Sequence, residues 1–198
     1  MNLTRIDEEE ELMKEVYLKI ARQAIEDHLY NRNTLDKETL TKHHPELLQE
    51  SATFVTLTMQ GRLRGCIGSL VAHRPLLDDI IANARSAAFH DPRFMPLTHD
   101  ELSNIEIEVS LLSQPKPVVY TTTEVLKSKI TAGVDGVVLR LDGRRATFLP
   151  QVWEELPSFE LFFMHLCQKA GLQGNCLKAH PQIEVYQVEK IKELHHDT

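Results

Sequence analysis

An α+β fold built mainly on antiparallel sheet with flanking helices is what this sequence predicts, on three observations. Alternating, Thr- and Val-rich residues 54–59 run through Gln60-Gly61 into residues 62–69. A second alternating segment, 137–141, runs through Asp142-Gly143 into 144–149. Both dipeptides suit the two-residue turns that join antiparallel strands. The helical stretches between strands are few and unevenly spaced, unlike the regular alternation of a parallel doubly wound sheet.

Taken in order, residues 7–30 predict an amphipathic helix. Four glutamates stand at its start, where the helix dipole favours anions, and Met13, Val16, Tyr17, Ile20, Ala21 and Ala24 recur at helical spacing. Residues 31–53 are polar, contain Pro45, and suggest a surface wrap with a short helix over 36–41. After the first hairpin, Pro75 precedes Leu76, Leu77, Ile80, Ile81, Ala84, Ala87 and Ala88, a helix with a smooth, close-packing face. Asp91-Pro92-Arg93-Phe94 ends it, either as a structured turn or as a charged rim beside the hairpin. Thr98 with Glu101 forms a capping-box pattern, and Ile105, Ile107, Val109 and Leu111 then alternate with polar residues as a half-buried strand. Glu108 on that strand either pairs with Arg64 or faces water.

Gln114-Pro115-Lys116-Pro117 is the most linker-like segment and suits a crossing between two lobes. Thr122 or Thr123 caps a helix reaching Ile130, and the second hairpin follows with Arg140, Arg144 and Arg145. These arginines either hold an anionic ligand or protect an exposed strand edge. Residues 150–154 start a short helix or turn. Ser158 caps a helix whose Phe159, Phe162, Phe163, Leu166, Cys167 and Ala170 share a face, with Gly171 as its stop, so that Cys167 is expected to be a core thiol. Residues 183–188 predict one closing strand, and the tail after Lys190 is expected to fray.

Composition excludes several functions. A length of 198 residues, 42% of them hydrophobic and 26% charged, suits one globular domain or two small lobes. A net charge of -7 argues against a broad nucleic-acid surface, and no apolar run approaches bilayer length. Without the order of a signal peptide, a cytoplasmic protein is expected. Cys66, Cys167 and Cys176 are odd in number and include no C-x-x-C pair, which suggests neither a disulfide framework nor structural zinc. The ten histidines include adjacent pairs at His43-His44 and His195-His196 but no pair at metal-binding helical spacing, so no metal is expected.

Against this background Gly61-Arg62-Leu63-Arg64-Gly65-Cys66-Ile67-Gly68 is unusual. As a regular strand it sends Arg62, Arg64 and Cys66 to one face and Leu63 and Ile67 to the other. Guanidinium groups beside a thiol favour the thiolate, and Gly65 and Gly68 leave the backbone open to a ligand. The alternative is a small core cysteine with glycines marking a bulge or a close crossing.

Four long motifs carry a resemblance to a known family. They are Leu63-Arg64-Gly65-Cys66-Ile67-Gly68, Ala88-Phe89-His90-Asp91-Pro92-Arg93-Phe94, Ile107-Glu108-Val109-Ser110-Leu111-Leu112-Ser113, and Arg144-Arg145-Ala146-Thr147-Phe148-Leu149-Pro150-Gln151-Val152-Trp153-Glu154. With them the chain resembles the AMMECR-type domain family, called system protein A of the AmmeMemoRadiSam system where its gene lies near Memo-type and radical-SAM genes. The likeness runs from about residue 54 to 172. After Gly174 it weakens, because the family often has a tryptophan where this chain has Asn175-Cys176-Leu177.

The resemblance implies a larger and a smaller lobe with a cleft between them, the Leu63 to Gly68 motif near that cleft, and Memo-type and radical-SAM proteins as partners. The smaller lobe is expected over roughly residues 60–115. It implies no settled activity and identifies no cofactor. Two functions follow. In one, the cleft binds a small molecule, a modified side chain or a partner's peptide, with Arg64, Gly65, Gly68, Asp91, Arg93, Glu108, Arg144 and Arg145 as ligand-binding residues. In the other, Cys66 is a catalytic nucleophile or redox-active thiol activated by Arg64, for which no base is carried over. The incomplete catalytic set favours binding.

Overall fold

Helices and antiparallel strands separate into two compact units of the chain, residues 1–111 with 189–198, and residues 112–188. The computed structural model describes residues 3–193, and side-chain surroundings from residue 11 onward. His195-His196 and most of the tail lie outside the described residues. By this division residues 60–111 fall in the larger unit and the smaller unit begins at Leu112. The first hairpin and the helix after it share one core with the amino-terminal helix, and that shared burial keeps 60–111 in the larger unit.

In the larger unit, α1 (Leu3–Leu29) and α3 (Leu76–Phe89) cover one face of a four-stranded sheet. Its order is β2 (Arg62–Gly68), β1 (Ala52–Met59), β3 (Ile105–Leu112) and β8 (Val188–Lys192). Alternation decides which face is buried: Val55 and Leu57 of β1 and Ile107 and Val109 of β3 join Ile20, Ala24, Ile80, Ala84 and Ala87 in one core. Alanines on both helices permit close approach. Two short helices, α2 (Lys37–His43) and α4 (His99–Leu102), are capped by Asp36 and by the Thr98/Glu101 capping box.

The smaller unit holds a second sheet in the order β4 (Lys116–Pro117), β7 (Gln182–Tyr186), β5 (Gly136–Leu141) and β6 (Arg144–Phe148). The pairs β4–β7, β5–β7 and β5–β6 are antiparallel, as is β1–β2. Three helices, α5 (Thr123–Lys129), α6 (Val152–Glu155) and α7 (Phe159–Lys169), complete the unit. Phe162, Phe163 and Leu166 of α7 are buried with Val137, Leu139, Ala146 and Ile183. Trp153 stacks on Phe162 at 3.6 Å and donates its indole N–H to the Asp135 carbonyl at 2.9 Å.

Four local expectations need correction. The linker-like Lys116-Pro117 pairs with Val185 and Glu184 as a short edge strand, where proline is tolerated. The single closing strand is two strands in different sheets. Gln187 breaks it, exchanging bonds of 2.9 Å with Ser113 through its N–H and its carbonyl. Ile191 and Lys192 belong to β8 rather than to a frayed tail. Finally, Cys167 is disulfide-bonded to Cys176. Gly171 adopts a left-handed φ of 72° that ends α7, and the chain returns so that the two Cα atoms lie 5.8 Å apart. Spacing along the chain carried no sign of that return.

Candidate functional site

Local backbone geometry at β2 determines what Cys66 meets. Gln60 and Gly61 take φ of 52° and 72°, the positive pair a tight hairpin turn requires. Thr58 then pairs with Leu63, but the next pair inward is Leu57 with Gly65, which leaves Arg64 as the extra residue of a bulge. Beyond the bulge, Cys66 pairs with Thr56 and Ile67 with Val55. The expected face of Arg62, Arg64 and Cys66 therefore does not exist. Cys66 shares its face with Leu63, because both are paired with the alternate residues Thr56 and Thr58 that point away from the core. Thr56 Oγ1 donates to Cys66 Sγ at 3.2 Å.

The bulge turns Arg64 inward, where it is 9% exposed. Its Nε and Nη2 bond both carboxylate oxygens of Glu101, at 2.7 and 3.0 Å, and Nη2 also donates to the Met95 carbonyl at 2.9 Å. Glu101 accepts the Thr98 N–H as well, so one carboxylate closes a helix cap and a bidentate ion pair. Arg64, chiefly, and then Thr98 hold the Glu101 carboxyl down at about 2. Glu108, for which the sequence left open pairing with Arg64 or facing water, pairs with Lys192 at 3.2 Å. Arg64 Nη1 is buried without an acceptor among the described residues.

Asp91 and Arg93 meet Cys66 through its backbone. Asp91 accepts the Cys66 N–H at 2.9 Å, and Arg93 Nη2 donates to the Cys66 carbonyl at 3.3 Å. Arg93 is also paired with Asp91, at 2.9 and 2.7 Å. β2 is an edge strand, and these two side chains bond the groups that a neighbouring strand would otherwise take. Arg93, first, and the Cys66 and Arg93 N–H groups hold the Asp91 carboxyl far below the ordinary range, against the opposing effect of burial.

The glycines make room for the protein itself. A Cβ on Gly65 would stand 2.1 Å from the Ala87 carbonyl oxygen of α3, and one on Gly68 would stand 2.2 Å from the Phe54 ring. Arg93 is half exposed, Met95 is 81% exposed and Leu63 44%, while Phe94 lies beneath both Arg64 and Arg93.

Arg144 and Arg145 belong to the other unit, with Arg140, on the β5–β6 hairpin. Arg140 Nε bonds Glu184 at 3.0 Å, and Arg144 Nη1 donates to the Gly171 carbonyl. Arg145 Nε is buried without an acceptor among the described residues.

One polar cluster escaped sequence reasoning. Asp79, fully buried at the start of α3, accepts from the Thr53 N–H and Oγ1 at 2.8 and 2.7 Å, from Ser69 Oγ at 2.8 Å and from Arg74 Nε at 2.7 Å. Asn83 adds a bond to the Thr53 carbonyl at 3.0 Å. This network ties β1, the end of β2 and α3 together. Its only sequence signal is an acidic residue in a helical first turn. Among the described residues no group of three or more His, Cys, Asp or Glu is placed to hold a metal ion, and no helix is long and apolar enough to cross a membrane.

Comparison with known proteins agrees with this architecture. The AMMECR1 family profile matches residues 18–191. A protein of Methanothermobacter thermautotrophicus is 40% identical over 174 residues, covering 87% of this chain and 88% of its own. One of Thermofilum pendens is 34% identical over 187 residues, covering 87% and 84%. The crystal structure of an uncharacterised protein of Pyrococcus horikoshii superposes with a TM-score of 0.71 at 32% identity, covering 91% of each chain.

Proposed function

The chain belongs to the AMMECR1 family, and from that premise we propose that it is a binding protein that recognises a segment of a partner protein through the outer face of β2 and the loop bonded to its edge. One observation carries this reading: the charged groups around Cys66 are already engaged with one another. Arg64 is held by Glu101, and Asp91 by Arg93 and the Cys66 N–H, so none of them is left to move a proton. On the outer face of β2 Cys66 lies with the exposed Leu63, and the loop bonded to the strand exposes Arg93 and Met95, with Phe94 beneath Arg93. Aromatic, methionine and arginine side chains are the types enriched in protein interfaces. Strand addition along β2 is opposed at Cys66 by the Asp91 and Arg93 bonds, so the partner segment lies on the side-chain face.

The family resemblance supplies the partner class, Memo-type and radical-SAM proteins, to which this chain is an accessory. Co-purification with both proteins from the same organism tests this. Association by the wild type and its loss in Met95→Asp, with folding unchanged, are expected. Failure of the wild type to associate with either, or to alter the activity of either, overturns the reading.

A second reading has its own observation. Cys66 is the free cysteine among the described residues, its Sγ accepts from Thr56, and Arg93, though held mainly by Asp91, donates to the Cys66 carbonyl. In this reading Cys66 is a redox-active or nucleophilic thiol, with Arg93 in the role that the sequence assigned to Arg64. Alkylation of the native protein across a pH series checks it. A slower rate in Arg93→Gln than in wild type supports it, and an unchanged rate leaves Cys66 as a contact residue.

A further inference from the structure

Three arginines of the smaller unit line one cavity of about 490 Å³, together with His180 and Gln182. Register brings two of the arginines together. Arg140 stands directly opposite Arg145 across β5–β6 and directly opposite Gln182 across β5–β7, so the three side chains form one row on a single face of the sheet. The residues flanking Arg140 in β5, Leu139 and Leu141, alternate to the opposite face, where Leu139 meets Ala146 and Ile183 in the core. The arginine row thus lies on the face turned from that core.

Two like charges placed directly opposite one another on a sheet destabilise it, unless a counterion sits with them. Glu184 partly answers Arg140, through Nε alone. Among the described residues no carboxylate forms an ion pair with Arg144 or Arg145, and the Arg145 Nε is buried with no acceptor. Among the described residues the one acid lining the cavity is Asp142, at the exposed hairpin turn. His180 adds a further polar group. Its ring stacks on Tyr120 at 4.3 Å, and its Nε2 lies 3.1 Å from the Tyr120 carbonyl, which places the hydrogen on Nε2 and leaves Nδ1 as the ring's other polar atom.

Protection of the sheet edge does not explain the row. β6 is an edge strand, and arginines there would discourage pairing with another sheet. Arg140, however, is on β5, which has β6 on one side and β7 on the other. An edge guard has no use for it.

We propose that this cavity binds the phosphate group of a small phosphorylated compound. A planar guanidinium presents paired N–H donors that match two oxygens of a phosphate, and the dianion matches the charge of more than one arginine, which a single carboxylate does not. The volume lies within the roughly 300–1,000 Å³ of ordinary small-molecule sites, so the compound extends beyond the bare phosphate. Every residue used belongs to the smaller unit, and the site stands independently of the β2 face assigned to partner recognition.

The test is an amide NMR titration of the whole chain with sodium phosphate, against sodium acetate at matched ionic strength. Expected is saturable movement of resonances from residues 140–145 and 180–182 with phosphate, and binding at least about tenfold weaker with acetate. Arg145→Gln is expected to weaken phosphate binding about tenfold or more, whereas Arg93→Gln leaves it unchanged. No saturable movement in the wild type overturns the proposal, as does equal binding of acetate or an unaltered affinity in Arg145→Gln. Should Arg145→Gln fail to fold, Arg140→Gln and the wild-type map decide it.

Discussion

The two arginine-bearing hairpins share a turn and differ in what their side chains meet. Gln60-Gly61 and Asp142-Gly143 adopt nearly the same positive φ values, 52° and 72° against 50° and 74°. Each turn leads into a strand that begins with arginine. On β2 a bulge delivers Arg64 to Glu101, and a neighbouring loop answers the strand's edge with Asp91 and Arg93. On β5–β6 the register runs without a shift, and it sets Arg140 against Arg145. One extra residue thus separates an arginine turned inward onto a carboxylate from two arginines set directly opposite one another. Arginine content in a motif therefore says little about ligands until the register is known.

The largest expected effect contrasts the glycines of the two hairpins. Gly65→Ala places a methyl group against the backbone of α3, which cannot rotate away, and a loss above about 3 kcal/mol in urea unfolding is expected. Gly143→Ala meets open space and has only its left-handed φ of 74° to contend with, so a loss of about 1 kcal/mol is expected. Similar losses for both would show that β2 is no more tightly held than β6.

Next in size is the pairing itself. Glu101→Gln leaves the inward-turned Arg64 without its counter-charge, and unfolding is expected to become easier by about 2 to 3 kcal/mol. Arg145→Gln removes one of two opposed like charges and is expected to change stability by no more than about 0.5 kcal/mol, or to raise it. A larger loss from Arg145→Gln than from Glu101→Gln would reverse the contrast.

The smallest effect is in the acid limb. Folding depresses the Glu101 carboxyl from 4.5 to about 2, so its contribution is complete above about pH 4.5 and is lost as pH falls through about 2. Asp91 is depressed in the same sense, and its contribution is likewise present at neutral pH and lost in acid. Urea midpoints measured down the acid range are expected to fall less steeply in Glu101→Gln than in wild type. A parallel fall in both proteins would mean that other carboxylates set the acid limit.

What the sequence by itself determined was local. The Gln60-Gly61 and Asp142-Gly143 turns, the Thr98/Glu101 capping box, the Ser158 cap and the α7 stop at Gly171 each depend on the conformational limits of a few adjacent residues, and each stands where the pattern placed it. The antiparallel character followed from those turns. What the tertiary structure alone decided was which partner each side chain met. Whether Arg64 faced Cys66 or Glu101 depended on one bulged residue, because strand alternation reverses with every residue inserted. The glycines at 65 and 68 answered to Ala87 and Phe54, the Cys167–Cys176 bond to the return after Gly171, and the buried Asp79 network to three elements brought together. Contacts of this kind join segments distant along the chain or set by register. Their chemistry is written in the residue types, but their pairing is set by the packing of the core.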